Sequence, residues 1–521
     1  MVVRFPALAL LAARLGAQAP QPGASIEGIV TDAVTGIPLV NVVVSTNRDN
    51  VANVRTDDKG HYTFRNLNMG FYQIYVHTEG YAIRSSFVRL LGSQALNGID
   101  LKLDRQAVVA GRVLDRDKNP VVNARVSLRE QGFRDGRPVV TSFFAVNTND
   151  LGEYRFAGIS PGRYYLEAEP KMLNVRTVRS GDPHEEHPAV SANVRTYYGN
   201  SMSFDGAATL TFTAGQLMEG LDITLLGEKT VCVTGSLAGA GAPGERYGVQ
   251  LSEPMPGSQS NMAYGSVAAG DEFEICGVPP GSYRMRAFTT NDLRYASQAV
   301  MVTDRPVTVP PLILSPGTKL TGTVTVEGAQ PGEPLPGGLR VAIEPKDRIR
   351  LSGETTGATI EASGAFTMPG VLLDEYWLRV VGLPPGYYVK QAAINGHEAL
   401  RDPLRTGQGD LAIVLASDGP ALSGTVNTAA NQPVANAVAL LAVYPLPQTL
   451  GWADIRTAFA DQNGFFSFPS IPPGEYRLLA FPPLADGVWS DPDLVRSNLS
   501  QATELTLAPK EKKMIVVIPV P

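Results

Sequence analysis

The hydrophobic pattern of the chain has a short wavelength almost from end to end. Apolar and polar positions alternate over short runs, and Gly, Pro, Asn or Asp interrupts each run, which predicts strands rather than helices. Tyr72/Ile74/Val76 forms one such apolar face. It returns as Tyr164/Leu166/Ala168, Tyr283/Met285/Ala287, Tyr376/Leu378/Val380 and Tyr476/Leu478/Ala480. Strict alternation with one wet face is the pattern of an antiparallel sheet.

The strands around that face recur in a fixed order. A short β-prone opening strand carries Gly28, Gly111, Gly235, Gly322 or Gly424. A second strand follows a turn and is led by proline in three cases, at Pro38, Pro120 and Pro433, where the missing N–H falls outside the ladder. Next comes a Gly turn feeding aromatic alternation, as in Gly60-His61-Tyr62-Thr63-Phe64 and Gly152-Glu153-Tyr154-Arg155-Phe156, with later copies at Phe273, Phe366 and Phe466. The fourth element is a P-G-x-Y turn at Pro161, Pro280 and Pro473, softened to Met69-Gly70-Phe71-Tyr72 and Leu373-Asp374-Glu375-Tyr376. An apolar strand such as Leu101-Lys102-Leu103 or Leu411–Leu415 closes each unit. Six or seven strands in about 80–120 residues predict a β-sandwich for each repeat. The expected division is 20–104, 105–228, 229–315, 316–417 and 418–521, with a long polar loop at 171–200. Short linkers predict an elongated array of the five.

Composition narrows the class. Hydrophobic residues are 44% and charged residues 18%, a globular balance, and the 52 Gly and 40 Pro suit many tight turns. A net charge of −6 without a basic stripe argues against nucleic acid and anionic membrane surfaces. Arg4, the apolar run from Phe5 to Ala13 and the exit Ala17-Gln18-Ala19 read as a signal peptide over 1–19. No later stretch has the apolar length of a membrane span. The expected location is therefore secreted, periplasmic or cell-surface. Export permits a disulfide, and the two cysteines, Cys232 and Cys276, both fall in the third repeat, so we expect them to be paired.

The order G-x-V, P-V-x-x-A-x-V, D-x-x-G-x-Y-x-F, P-G-x-Y-x-L-x-A resembles the carboxypeptidase regulatory-like domain, a transthyretin-like β-sandwich, and tandem arrays of it in bacteria. The resemblance covers residues 24–521 and is clearest in repeats one, two and five. It implies an all-β chain of five transthyretin-like, immunoglobulin-like antiparallel sandwiches. It also implies folding help, surface binding or adhesion, since the domain accompanies zinc carboxypeptidases without being a peptidase.

The residues give no catalytic constellation. None of the histidines His61, His77, His184, His187 and His397 has an acid three residues on, and no H-E-x-x-H, G-x-S-x-G or P-loop motif occurs. His184-Glu185-Glu186-His187 has metal-like spacing but is flanked by Pro183 and Pro188, which favours a solvated loop. Asp115-Arg116-Asp117-Lys118-Asn119 starts like a calcium loop but lacks its later glycine and acid, and reads as a turn. We therefore expect no catalytic residue, metal or cofactor. The partner would be an extracytoplasmic protein or a polysaccharide, and an alternative is a carbohydrate-binding array serving hydrolases. For that alternative the candidate ligand-binding residues are Trp452 and Trp489, in loop-like stretches where an exposed indole could stack on a sugar.

Overall fold

The computed structural model describes residues 24–48, 50–82, 84–90, 95–134, 136–179, 188–239, 245–289, 293–330, 333–346, 354–448, 450–483 and 488–520. The signal-peptide segment and His184 to His187 lie outside these residues. The described chain is nearly all β, and its ten sheets fall into five successive facing pairs, here sandwiches 1 to 5. In each, one sheet is centred on the opening strand: Ala24–Asp32, Ala107–Leu114, Gly227–Ala238, Thr318–Val326 or Ala421–Val426. The other sheet holds the second strand and the tyrosine-led strand. By internal contacts the chain makes two compact units: Met1–Glu79 with Ile83–Leu103, and Gly80–Ala82 with Asp104–Pro521. Sandwich 1 is the first unit and sandwiches 2 to 5 are the second.

The repeated residues are the ones this geometry demands. The opening-strand glycine lies where the chain leading into or forming the closing strand crosses it. A Cβ there would overlap the carbonyl of Ile99, Leu221, Leu411 or Ile515 at Gly28, Gly111, Gly322 and Gly424, or Phe273 and Val309 at Gly235. The tyrosine of the fourth element turns its hydroxyl back on its own turn. It donates to the carbonyl four residues earlier in every sandwich: Tyr72 to Asn68 (2.9 Å), Tyr164 to Ser160 (3.0 Å), Tyr283 to Pro279 (3.0 Å), Tyr376 to Leu372 (3.2 Å) and Tyr476 to Pro472 (2.7 Å). A turn carbonyl tucked under the sheet thereby gets a partner without water, as in the tyrosine corner of other sandwiches. Tyr62 and Tyr154 do the same service for Ile99 and Leu221.

Sandwiches 1 to 4 share a β-bulge. The aromatic strand has one residue more than the opening strand between paired positions, as in Ala24↔Leu67 followed by Ile26↔Phe64. The extra residue has positive φ in each case: Asn66, Gly158, Gly277 and Gly370.

Two expectations need correction. The polar stretch 171–200 is not simply a loop of sandwich 2. Leu173–Asn174, Arg176–Val178 and Val190–Asn193 are strands that pair with Ser258–Ala268, Glu272–Val278 and Gly227–Ala238 of sandwich 3. The wet outer face expected on the strand Gly162–Glu169 is covered, with Glu167 and Glu169 buried beside the inward Leu166 and Ala168. Within the second unit, modules that are not neighbours in sequence also touch. Sandwich 2 meets sandwich 4 through Arg137, stacked 3.4 Å over Trp377, and sandwich 5 through Arg163–Asp491 at 2.6 Å. The hairpin Arg125–Arg134 with Arg137–Asn147 is long enough to reach across.

Candidate binding and joint residues

Neither candidate tryptophan is an open platform. Trp452 is half-buried, packs against the core of sandwich 4, and has its indole N–H enclosed without a hydrogen-bond partner. Beside it, Arg401 holds the buried Asp454 at 2.8 Å. Trp489 meets Phe459 edge-on at 5.0 Å and joins a second apolar cluster of sandwich 5, built on Leu440, Leu479 and Val495. The helix Pro492–Asn498, capped by the Asp491 carboxylate on the Asp493 N–H, supplies that cluster.

Cys232 and Cys276 form a disulfide between the opening and aromatic strands of sandwich 3, with Cα atoms 3.9 Å apart. Both lie at the bulge, where Val231 pairs with Val278 and Val233 with Ile275. The equivalent positions are Ser25 and Arg65 in sandwich 1 and Val108 and Ala157 in sandwich 2. Glu274 is close to both sulfurs, the one metal-like grouping among the described residues. The sulfurs are bonded to each other, however, and Arg176 from the inserted segment occupies the carboxylate at 2.7 Å. A shallow cavity of about 370 Å³ opens here, lined by Lys171, Leu173, Arg176, Glu274 and Cys276.

Asp115 is a turn residue, as expected: its Oδ1 accepts from the Asp117 and Asn119 N–H groups at 2.8 Å each. Those bonds, Asn119's first, hold its carboxyl below the ordinary range. His61 sits 3.6 Å from Asp57 on an exposed turn, and His397 is exposed on a short hairpin.

The densest polar chemistry lies between sandwiches 2 and 3. Arg129 contacts Glu167 at 2.6 Å and Ser260 at 2.8 Å. Arg195, 5% exposed, contacts Glu169 at 2.8 Å and the Asn261 carbonyl at 2.6 Å. Tyr197, fully buried, donates to Glu253 at 2.8 Å, and the other Glu253 oxygen accepts from the Phe204 N–H at 2.9 Å. Burial opposes ionisation of Glu167, but the flanking Arg129 and Arg195 win and hold its carboxyl low. At Glu253 burial wins and the carboxyl is raised, with Arg195 only partly offsetting it. Val140, Tyr197, Phe204 and Met255 seal the site with a small apolar cluster. Such pairs, cut off from water, hold position at the cost of desolvation. Sequence reading missed them because Glu167 and Glu169 fall on the polar phase of a regular alternation. Their only signal was two carboxylates at i and i+2 on one outer face.

These features define a class: a chain of tandem β-sandwiches, two of which, the second and third, share a buried polar joint. Residues 25–104 match the family model of the carboxypeptidase regulatory-like domain, so the resemblance read from the motifs is met over sandwich 1. No curated protein sequence matches the chain. Similar solved structures include the Bacillus anthracis TIE protein, at 12% identity and TM-score 0.16, over 57% of this chain and 51% of that one. The chain thus spans about half the length of that protein. GBS52, the minor pilin of Streptococcus agalactiae, is similar at 13% identity and TM-score 0.22, over 39% of this chain and 95% of that one. Two B repeat units of the collagen-binding protein of Staphylococcus aureus are similar at 13% identity and TM-score 0.14, over 76% and 99%. At these scores none of the three bears on how this chain works.

Proposed function

We propose that the protein is a non-catalytic structural and binding protein that acts outside the cytoplasm and engages a protein or polymer partner there. The observation that carries this reading is where its ionisable chemistry is used. Arg129, Glu167, Glu169 and Arg195 are all buried, and the two arginines, held by the two glutamates, reach Ser260, the Asn261 carbonyl and Glu253 of the next sandwich. The side chains common to the five repeats, the opening glycine and the tyrosine on its turn, likewise build the fold. The Cys232–Cys276 bond supports an oxidising compartment. On this reading the loops that differ among the sandwiches bear the partner site.

Fractionation of producing cells with thiol labelling tests the location: the chain is expected outside the cytoplasm with no free thiol. A reduced, cytoplasmic chain overturns it. Binding to soluble polysaccharides, abolished by Trp452→Ala or Trp489→Ala, would replace the protein-partner reading with the glycan one.

A further inference from the structure

The closing strand of each sandwich pairs in parallel with the opening strand, and the sandwiches differ in how they treat its other edge. In sandwiches 1 to 3 that edge is short: Leu101–Leu103, Ile223–Thr224 and Leu312–Ile313. In sandwiches 1 and 2 it is also charged. The residue after the carbonyl that crosses the opening glycine is Asp100 or Asp222, whose carboxylate accepts the N–H of Ile29 or Arg112 at 2.9 Å. Sandwich 4 has a long closing strand, Leu411–Ala416, but covers it with its own Tyr388–Ile394, paired antiparallel from Tyr388↔Ala416 to Ile394↔Leu411. Short strands, charge and a covering strand are the ways sheets keep an edge from pairing with another chain.

Sandwich 5 leaves most of its edge without them. Its closing strand, Lys512–Val517, is six residues long and pairs only with Ala421–Val426 among the described residues. The position of Asp100 and Asp222 is Val516, 61% exposed, and it stands in an outward row with Met514 at 78% and Ile518 at 60%. Phe465 extends this apolar row across the outer face of the sheet. Charge is confined to one end, at Lys512 and Lys513.

We propose that Lys512–Val517 is a self-association edge, where a second copy of the chain pairs its own closing strand antiparallel across a two-fold axis. The strand suits itself as partner. It has an unpaired edge and apolar side chains at period 2, and a two-fold places the same patch on both sides. The antiparallel sense sets the two lysines of each copy against the apolar end of the other, whereas a parallel pairing would align lysine with lysine. The two three-stranded sheets would become one continuous sheet of six. The inference concerns the chain itself and stands whether or not the protein acts outside the cytoplasm.

Sedimentation of the full chain from about 1 to 200 µM reads the equilibrium, since strand-edge contacts are at the small end of stable interfaces. A reversible dimer is expected. Met514→Lys and Val516→Lys should each raise its dissociation constant at least about tenfold, while Ile313→Lys, an exposed site on sandwich 3, leaves it unchanged. Hydrogen exchange on the unmodified chain gives a second readout: amides of 512–517 should gain protection as concentration rises. A monomer throughout, a dimer indifferent to both strand variants, or no concentration-dependent protection would overturn the proposal. Binding of some other strand by a chain that stays monomeric would overturn it too.

Discussion

Sandwiches 1 and 3 carry the same repeat and stand on different terms. Sandwich 1 closes both sheets with strands drawn from its own 24–103, and it is a compact unit by itself. Sandwich 3 takes three strands from residues 173–193, ahead of its opening strand, and Leu173, Val175 and Ala189 of that segment pack on its core. It also shares the buried ion pair Arg195–Glu253 and the bond from Arg195 to the Asn261 carbonyl with sandwich 2, and it carries the disulfide. Likeness of repeat therefore does not mean likeness of folding unit. The inner face sets the sandwich, and what lies on edges and outer faces decides whether it stands alone.

The largest expected effect follows directly. Residues 20–104 expressed alone should fold cooperatively. Residues 229–315 should not, because three ladders lose their partners and unpaired backbone is costly. Residues 105–315 should restore folding. Dispersed amide resonances and a cooperative urea transition from 229–315 alone would erase the distinction between the two sandwiches.

A smaller effect isolates the outer face. Glu169 of sandwich 2 corresponds, counted from the repeat tyrosine, to the exposed His77 of sandwich 1. Glu169→Ala leaves the Arg195 guanidinium buried without its closest carboxylate and should cost about 3–5 kcal/mol in the unfolding of the second unit. His77→Ala should change sandwich 1 by no more than about 0.5 kcal/mol. Urea titrations of the two variants measure the contrast, and equal losses would mean the joint contributes nothing special.

How much of this was legible in the sequence depends on which face is considered. The inward rows, the hairpin glycines and the P-G-x-Y turns are local signals at period 2, and the sandwich class follows from them. The pairing of Cys232 with Cys276 was also readable, since both lie within one repeat. The role of 171–200 was not. Arg176-Thr177-Val178 has no repeat counterpart, and its partner Glu272–Val278 lies almost a hundred residues on. Glu167 and Glu169 read as solvated because alternation reports only what the sheet itself buries. Trp452 read as a loop side chain, and what half-buries it is sandwich 4, which no local pattern announces.

The tyrosine hydroxyls should behave alike in both sandwiches, which sharpens the comparison from the other side. Tyr72→Phe and Tyr283→Phe each remove a bond to the carbonyl four residues back, at 2.9 and 3.0 Å. Each should cost about 1 kcal/mol. A clear excess in sandwich 3 would show that its inner face, and not only its edges, depends on its neighbours.

The finest test is a pH response confined to the joint. Glu253 is flanked by Arg195, Tyr197 and Glu167, and burial raises its carboxyl above the ordinary value of 4.5. A raised native value means its contribution is present below 4.5 and lost as pH rises through that value. Glu167, held low by Arg129 and Arg195, works oppositely: its contribution is present above 4.5 and lost as pH falls through its depressed value. Glu253→Gln deletes the first response and keeps the second. Urea midpoints of the second unit, measured from pH 4.5 upward, should decline for the natural chain relative to the variant and then run parallel once Glu253 is ionised. Sandwich 1, titrated alone, has no such buried carboxylate pair among its described residues and should show no such decline. Parallel curves for chain and variant over the whole range would remove Glu253 from the account of the joint.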